Sequence, residues 1–375
     1  MKQQKLKIGL VLDDTLDSTD GVQQYVLTLA ECLSKQGHEV HFLVGHTKRT
    51  DKPNIHSLSK NIAVRFNKNK LSVPLPASQK KTRQLLNRLQ LDIIHVQMPF
   101  SPFLAGRVIA SASEQTAVVG TFHILPASNV ARFGTHFLGK LTKRSLARFD
   151  EFCAVSKPAQ KFMLQAFGEK ARVIPNAVNL RYFSGTKPKV DQDLRIVFLG
   201  RLVERKGAQY AIRAFARLNN KNTALLIGGS GPMQTKLQKL VRRLDVTDRV
   251  EFLGRVAEAS KADLLASADI AVFPSLGGES FGIVLVEAIA AGAGVVIAGD
   301  NPGYASVITD LNQRVDPKDV SIFATKLDDL LANKKLRQNI HKSQQKLITK
   351  YDVDAVGRQV LTMYTDALRK RSNSR

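Results

Sequence analysis

The residues of this chain best placed to do chemistry are two glutamates eight positions apart in a glycine-rich setting. They lie in Leu276-Gly-Gly-Glu-Ser-Phe-Gly-Ile-Val-Leu-Val-Glu-Ala288, with Glu279 at the tip and Glu287 about two helical turns on. The preceding Ala268-Asp-Ile-Ala-Val-Phe-Pro274 is a short apolar run that predicts a buried strand. Ile283 to Ala291, stopped by Gly292, predicts a helix on which Glu287 shares a face with Ile283. A strand, a glycine turn and a helix N-terminus make an anion site, because unpaired amides point outward with the helix dipole behind them. Gly277 and Gly278 allow backbone conformations closed to other residues and let a ligand come close to the main chain. A carboxylate repels a phosphate lying directly on it, so Glu279 suits neutral hydroxyls beside the anion, as on a sugar.

Cations for such an anion stand in a second loop, Gly200-Arg-Leu-Val-Glu-Arg-Lys-Gly207, which follows the apolar run Leu194-Arg-Ile-Val-Phe-Leu199. A guanidinium at Arg201 would grip two phosphate oxygens, and an ammonium at Lys206 would act as a point charge. In so basic a chain the plain alternative is a pair of solvated surface cations. His123 closes another apolar run, Thr116-Ala-Val-Val-Gly-Thr-Phe-His123. A lone histidine at a strand end is ordinarily structural, but ligands collect at the carboxyl edge of a parallel sheet.

Positioning these groups requires strands and helices that alternate, and the chain supplies that pattern twice. Lys7 to Leu12 reads as a strand, Val22 to Ser34 as a helix with Val22, Val26, Leu29, Ala30 and Leu33 at helical spacing, and Gly37 to Val44 as stop and strand. No Gly-x-Gly-x-x-Gly follows the first strand, so a dinucleotide fingerprint is absent. After the polar stretch Ser184 to Asp193 the pattern restarts, and Ala224-Leu-Leu-Ile-Gly-Gly-Ser-Gly-Pro232 adds another strand and glycine turn. The expected fold class is α/β with two Rossmann-like domains, residues 1–185 and 186–350, and a tail helix over 351–375.

With 375 residues and 43% hydrophobic content, two domains with substantial cores are expected. Cys32 and Cys153 are far apart in apolar segments, which predicts reduced core thiols in a cytoplasmic protein. The opening apolar run is too short for a signal peptide, and no segment approaches the roughly 18 apolar residues of a spanning helix. A soluble or peripheral protein is expected. The net charge of +24 calls for an anionic partner. Nucleic acid is one candidate, but aromatics are 6%, Trp is absent and no nucleic-acid-binding module is visible. An anionic membrane surface fits better. Between Lys48 and Arg88 the basic residues are Lys48, Arg49, Lys52, Lys60, Arg65, Lys68, Lys70, Lys80, Lys81, Arg83 and Arg88, against the single acid Asp51. Leu85, Leu86 and Leu89 alternate with those cations in a short helical pattern, as in a helix lying on lipid; a surface helix with its leucines turned to the core is the alternative.

The Glu279/Glu287 stretch resembles the Glu-x7-Glu signature of the retaining glycosyltransferases of family 4, whose GT-B fold has two Rossmann-like domains facing across a cleft. Other stretches extend the resemblance over nearly the whole chain: Asp20-Gly21-Val22-Gln23, Gly120-Thr-Phe-His123, Val173-Ile-Pro-Asn-Ala-Val178, the Gly200 to Gly207 loop and Leu253-Gly-Arg-Val256. Within the family they resemble the bacterial phosphatidylinositol mannosyltransferases. The resemblance implies transfer of a hexose, mannose from GDP-mannose, to a membrane lipid such as phosphatidylinositol on the inner face of the cell membrane. A UDP-sugar with another lipid or glycan acceptor is the alternative, and a GT-B epimerase or phosphorylase would share the fold.

The resemblance also assigns roles. Glu279 orients the donor sugar, and His123 meets that sugar from the other domain. Arg201 and Lys206 hold the diphosphate, which the backbone of Gly21 approaches. Phe281, Gly282, Ile283 and Val284 offer amides to the donor, Glu287 binds the ribose, Glu258 reads guanine and Gln23 belongs to the acceptor side. Phe100 stands where an asparagine is expected, and Ile124-Leu-Pro126 replaces small polar residues. No cofactor or metal is expected, since Arg201, Lys206 and helix amides can stabilise the leaving diphosphate. Asp-x-Asp strings occur only as Asp191-Gln-Asp193 and Asp352-Val-Asp354, away from strands beside the donor loops.

Overall fold

The computed structural model describes residues 4–17, 20–66, 69–126, 129–185 and 194–373. Contacts divide the chain into two units, Met1–Ala177 together with Val353–Arg375, and Val178–Asp352. In the first unit the elements run β1 (Lys7–Leu12), α1 (Gly21–Lys35), β2 (Glu39–Val44), β3 (Ile55–Ser57), β4 (Asn61–Phe66), β5 (Asn69–Pro74), α2 (Gln79–Leu89), β6 (Ile93–Val96), α3 (Leu104–Ser111), β7 (Ala117–Phe122), α4 (Asn129–Leu146), β8 (Glu151–Ala154), α5 (Lys157–Phe167) and β9 (Arg172–Val173). Seven strands form a parallel sheet in the order β3-β2-β1-β6-β7-β8-β9, while β4 and β5 pair antiparallel as a separate hairpin. Strands buried on both faces read as unbroken apolar runs. Ile8, Leu10, Val11 and Leu12 are accordingly all buried. Helix boundaries follow local chemistry: Ser156 caps α5 by accepting from the Ala159 amide, and Gly168 ends it in the left-handed conformation.

The second unit runs α6 (Leu180–Ser184), β10 (Leu194–Leu199), α7 (Ala208–Ala216), β11 (Thr223–Gly228), α8 (Gln234–Arg243), β12 (Val250–Gly254), α9 (Glu258–Ala266), β13 (Ile270–Phe273), α10 (Ile283–Ala290), β14 (Val295–Gly299), α11 (Pro302–Ala305), β15 (Arg314–Val315), α12 (Val320–Ala332) and α13 (Lys334–Ile348). Its six-stranded parallel sheet has the order β12-β11-β10-β13-β14-β15. The last helix, α14 (Val353–Asn373), returns to the first unit. There Val356, Val360, Met363, Tyr364 and Ala367 join the core of β1 and α1. The Tyr364 hydroxyl meets His95 Nδ1 at 2.8 Å, and His95 Nε2 meets Thr121 Oγ1 at 2.6 Å. Burial pushes the His95 imidazole down to about 3, so this buried junction carries a neutral ring.

Two expectations shift. The chain passes between units at 177/178 and 352/353, where the expected bounds were 185/186, from the polar linker, and 350/351, from the tail helix. The reason is local: the Val178 amide bonds the Tyr351 carbonyl, and α6 packs on the second unit through Tyr182 Oη, which donates to the Glu258 carbonyl at 3.1 Å. Residues 186–193 of the expected linker, with Asp191-Gln-Asp193, lie outside the described residues. The second correction concerns α2. Leu86 is buried in the cluster of Leu91, Ile94 and Val108, with Leu85 and Leu89 packed against it. Its leucines face the core, leaving no apolar stripe for lipid, while Lys80, Lys81, Arg83 and Arg88 stay exposed. Lys68 and the side chains of Arg65 and Lys70 lie outside the described residues. Among the described residues no helix is long and apolar enough to cross a membrane.

Candidate functional site

In an open parallel sheet, ligands collect beyond the carboxyl ends of the strands where the strand order reverses. In the second unit that point falls between β10 and β13. The loop after β10 carries Arg201 to Lys206, and the loop after β13 carries Ser275 to Glu279, so the two stretches singled out by residue chemistry flank the switch point. A 3-10 turn over Glu204–Lys206 presents Arg205 and Lys206, and Gly207 closes it with φ of +78°. A Cβ at Gly207 would sit 1.9 Å from the Pro274 carbonyl oxygen, so glycine is what lets the loops touch. Gly207→Ala is therefore expected to destabilise the protein, by more than the roughly 0.4–1 kcal/mol that alanine gains at positions able to accept it. A thermal melt together with diphosphate affinity checks this; an unchanged melting temperature would mean the loops adjust freely.

Three donors converge on one oxygen of Glu279. Arg205 Nη1 donates to Oε1 at 2.6 Å, Lys206 Nζ at 2.9 Å and Ser275 Oγ at 2.8 Å. Burial alone would raise the Glu279 carboxyl, but the charges of Lys206 and Arg205, with hydrogen bonds from Lys206 and Ser275, hold it below the usual carboxylate range. Burial also pulls the Lys206 ammonium down; Glu279 opposes this, and the cations Arg205 and Arg201 add to it. Arg201 is thus near enough for its charge to be felt. With Arg205 paired to Glu279, the charges of Lys206 and Arg201 remain as the complement of a diphosphate. Beyond Glu279, Phe281 is buried edge-on against Tyr351, with ring centroids 5.2 Å apart, so only its main chain is available to a ligand. Gly282, with φ of +116°, precedes α10 and brings no side chain to cap the amides of Ile283 and Val284.

Glu287 and Glu258 meet in a second cluster of opposite sign. Lys261 Nζ lies 2.8 Å from Glu287 Oε1 and 2.6 Å from Glu258 Oε1, with the Phe183 ring 5.3 Å away. Burial raises the Glu287 carboxyl against the pull of Lys261; burial likewise lowers Lys261, but the two carboxylates outweigh it and hold the ammonium above its ordinary value. Two carboxylates on one ammonium leave a net acceptor surface for hydroxyls and ring N–H groups.

The first unit places its own predicted residues at the corresponding edge. Its order reverses between β1 and β6. Gly21 is the exposed first residue of α1, and two residues on Gln23 is buried, donating from Nε2 to Asp14 Oδ2 at 2.8 Å. His123 follows β7 with Nε2 3.0 Å from Gln97 Oε1 and its ring edge-on to Tyr25. Burial pushes His123 down to about 3, which makes it a neutral hydrogen-bonding ring rather than a cation. Gln23 Oε1 and Gln97 Nε2 are buried without a hydrogen-bond partner among the described residues, the condition of atoms that a ligand's hydroxyls would satisfy.

Residue reasoning missed Arg205, Ser275, Lys261, Gln97 and Asp14. Lys261 carried a legible signal, standing three residues after Glu258 on one helix face. Gln97, at the end of β6, stood at a strand's carboxyl edge as His123 did. Arg205 had none, being one of 56 Lys and Arg residues.

Residues 19–182 match the domain described as Glycosyltransferase Family 4, and residues 183–347 match Glycosyl transferases group 1. A phosphatidyl-myo-inositol mannosyltransferase of Mycolicibacterium smegmatis is 31% identical over 373 residues, covering 96% of this chain and 93% of that protein. The chain belongs to the family 4 glycosyltransferases. That makes it a hexosyltransferase. Solved structures bear on the fold of this glycosyltransferase alone: a sucrose-phosphate synthase from Thermosynechococcus elongatus superposes with a TM-score of 0.78 at 21% identity, covering 97% of this chain and all of that one. A glycosyltransferase from Rickettsia africae superposes at 0.77 with 18% identity, covering 98% of this chain and 100% of that one. Both are neighbours of the GT-B fold, to which the two parallel-sheet Rossmann-like units belong.

Proposed function

We propose that this glycosyltransferase moves mannose, with retention, from GDP-mannose to a membrane lipid, phosphatidylinositol being the acceptor named by its mycobacterial relative. The observation that carries the donor side is the pair of ion clusters of opposite sign on one unit. Arg201 and Lys206 beside Glu279 suit a diphosphate. Glu258 and Glu287 against Lys261 suit the ribose hydroxyls and base N–H groups of the same nucleotide. A nucleic-acid-binding role leaves the second, net-negative cluster without a ligand. In the proposed reaction Arg201, Lys206 and the α10 amides take up leaving-group charge without a metal. The departing oxygen takes the acceptor proton on the same face, and Glu279 orients the sugar.

A thermal-shift panel of nucleoside diphosphates and their sugars separates the readings. Ligand at about 100 times its Kd stabilises by about 2.7 kcal/mol, a readable shift. GDP and GDP-mannose are expected to raise the melting temperature more than UDP and its sugars. A response to UDP alone would transfer the proposal to a UDP-sugar, and no response to any would remove it.

The lipid acceptor places the enzyme peripherally on the cytoplasmic membrane face, drawn by the basic 48–88 segment. Because the α2 leucines are in the core, this attraction is electrostatic, about 1 kcal/mol per cation near the surface, and screened by salt. Changing Lys80, Lys81 and Arg83 to Glu is expected to weaken sedimentation with anionic vesicles while leaving GDP affinity unchanged. Equal binding to neutral and anionic vesicles would contradict this.

A further inference from the structure

The loop after β10 contributes one more group to Glu279 than the expected pair of phosphate cations. We infer that Arg205 is a positioning residue, which holds the Glu279 carboxylate by Oε1 so that Oε2 is presented to the hydroxyls of the donor sugar. The inference rests on the reading of this site as a donor-sugar pocket.

The geometry carries it at both ends of the residue. The side chain donates to Glu279 Oε1 at 2.6 Å, while the Arg205 carbonyl accepts from the Leu276 amide at 2.8 Å. Arg205 therefore grips the segment before Gly277 by its main chain and the carboxylate beyond Gly278 by its guanidinium. Among the described residues, every hydrogen bond and ion pair of that carboxylate falls on Oε1. A carboxylate has about four lone-pair sites over its two oxygens, so donors gathered on one oxygen leave the other for hydroxyls. Lys206 cannot hold this arrangement alone. Its ammonium is a point charge on a flexible stem, free to turn towards an incoming phosphate. Arg205, fixed through its own backbone, is the charge that remains on Glu279 when the diphosphate draws Lys206 away. It also keeps the carboxylate ionised, and the ionised form is the stronger acceptor for sugar hydroxyls at Oε2.

The test compares the wild type with Arg205→Met and Arg205→Lys by three readings. Carbon-13 carboxyl titration of Glu279, assigned through Glu279→Gln, is expected to move to higher pH in Arg205→Met, because a depressed carboxyl loses a compensating cation. The acid limb of kcat for transfer from the sugar nucleotide is expected to move the same way, with kcat about tenfold lower or less, the cost of one lost charge-assisted contact. Calorimetric affinity for GDP or UDP, whichever binds, is expected to change less than about threefold, and Arg205→Lys to recover part of the loss. An unmoved titration with unchanged kcat would overturn the inference. So would diphosphate affinity that falls in step with kcat, which would make Arg205 a phosphate ligand. Should the methionine variant not fold, Arg205→Lys and Arg205→Gln carry the same readings. A wild type that transfers no sugar would defeat the donor-pocket reading instead, while the titration and the affinity still decide whether Arg205 governs Glu279.

Discussion

Glu279→Gln and Glu279→Ala are expected to cut sugar transfer by about 100-fold or more, Ala beyond Gln, while the free nucleoside diphosphate binds as tightly as before or tighter. The size follows from what is lost. Gln keeps the shape but gives up charge-assisted hydrogen bonds, roughly twice as strong as neutral ones. Ala also leaves sugar hydroxyls without a partner. The direction on affinity comes from the charges: with Glu279 neutralised, Arg201 and Lys206 face a diphosphate with no competing carboxylate. Removing one partner of a fully buried ion pair costs about 3–5 kcal/mol of stability. The cost here is smaller, because the Arg205 side chain remains 33% exposed. Initial rates beside calorimetric diphosphate affinity check the prediction. Affinity that falls in proportion to rate would take Glu279 out of the sugar pocket.

The second large effect is on the cations themselves. Arg201→Ala and Lys206→Ala are each expected to weaken diphosphate binding and to lower transfer by roughly 2–3 kcal/mol of transition-state stabilisation. The two should differ in kind. Lys206 touches Glu279 directly, so its loss disturbs both the phosphate site and the sugar carboxylate. Arg201 acts on the site through its charge, so its loss should fall mainly on diphosphate affinity. Full activity and normal affinity in both variants would mean that the loop after β10 is not the diphosphate loop.

The strand–helix alternation was legible because parallel strands are buried on both faces and so appear as unbroken apolar runs, as at Ile270–Phe273 and Val295–Gly299. Loops at the carboxyl ends of β10 and β13 were legible because glycine marks where chains touch. The hairpin of β4 and β5 was not, since its residues read first as a run of positive charge. The leucines of α2 show a limit of periodicity: Leu85, Leu86 and Leu89 form the same stripe whether they meet lipid or the cluster around Val108, and only packing decides. The ion clusters show another limit. Glu279 and Glu287 stand on one short stretch, yet each has cations from a different element, Arg205 and Lys206 for one and Lys261 for the other. Which cation pairs with Glu279 or Glu287 across the fold is a long-range fact, and in a chain of net charge +24 no local pattern discloses it.

Transfer into a lipid phase tests the central claim most directly. Vesicles containing phosphatidylinositol, and vesicles containing a neutral glycerolipid, are incubated with enzyme and with labelled GDP-mannose or UDP-glucose. The extracted product is then measured, and its anomeric configuration is read by proton NMR. The account predicts label from GDP-mannose in the lipid phase, in the α configuration of the donor, with the signal abolished in Glu279→Ala. Release of free sugar without lipid product, or a β-linked product, would contradict it.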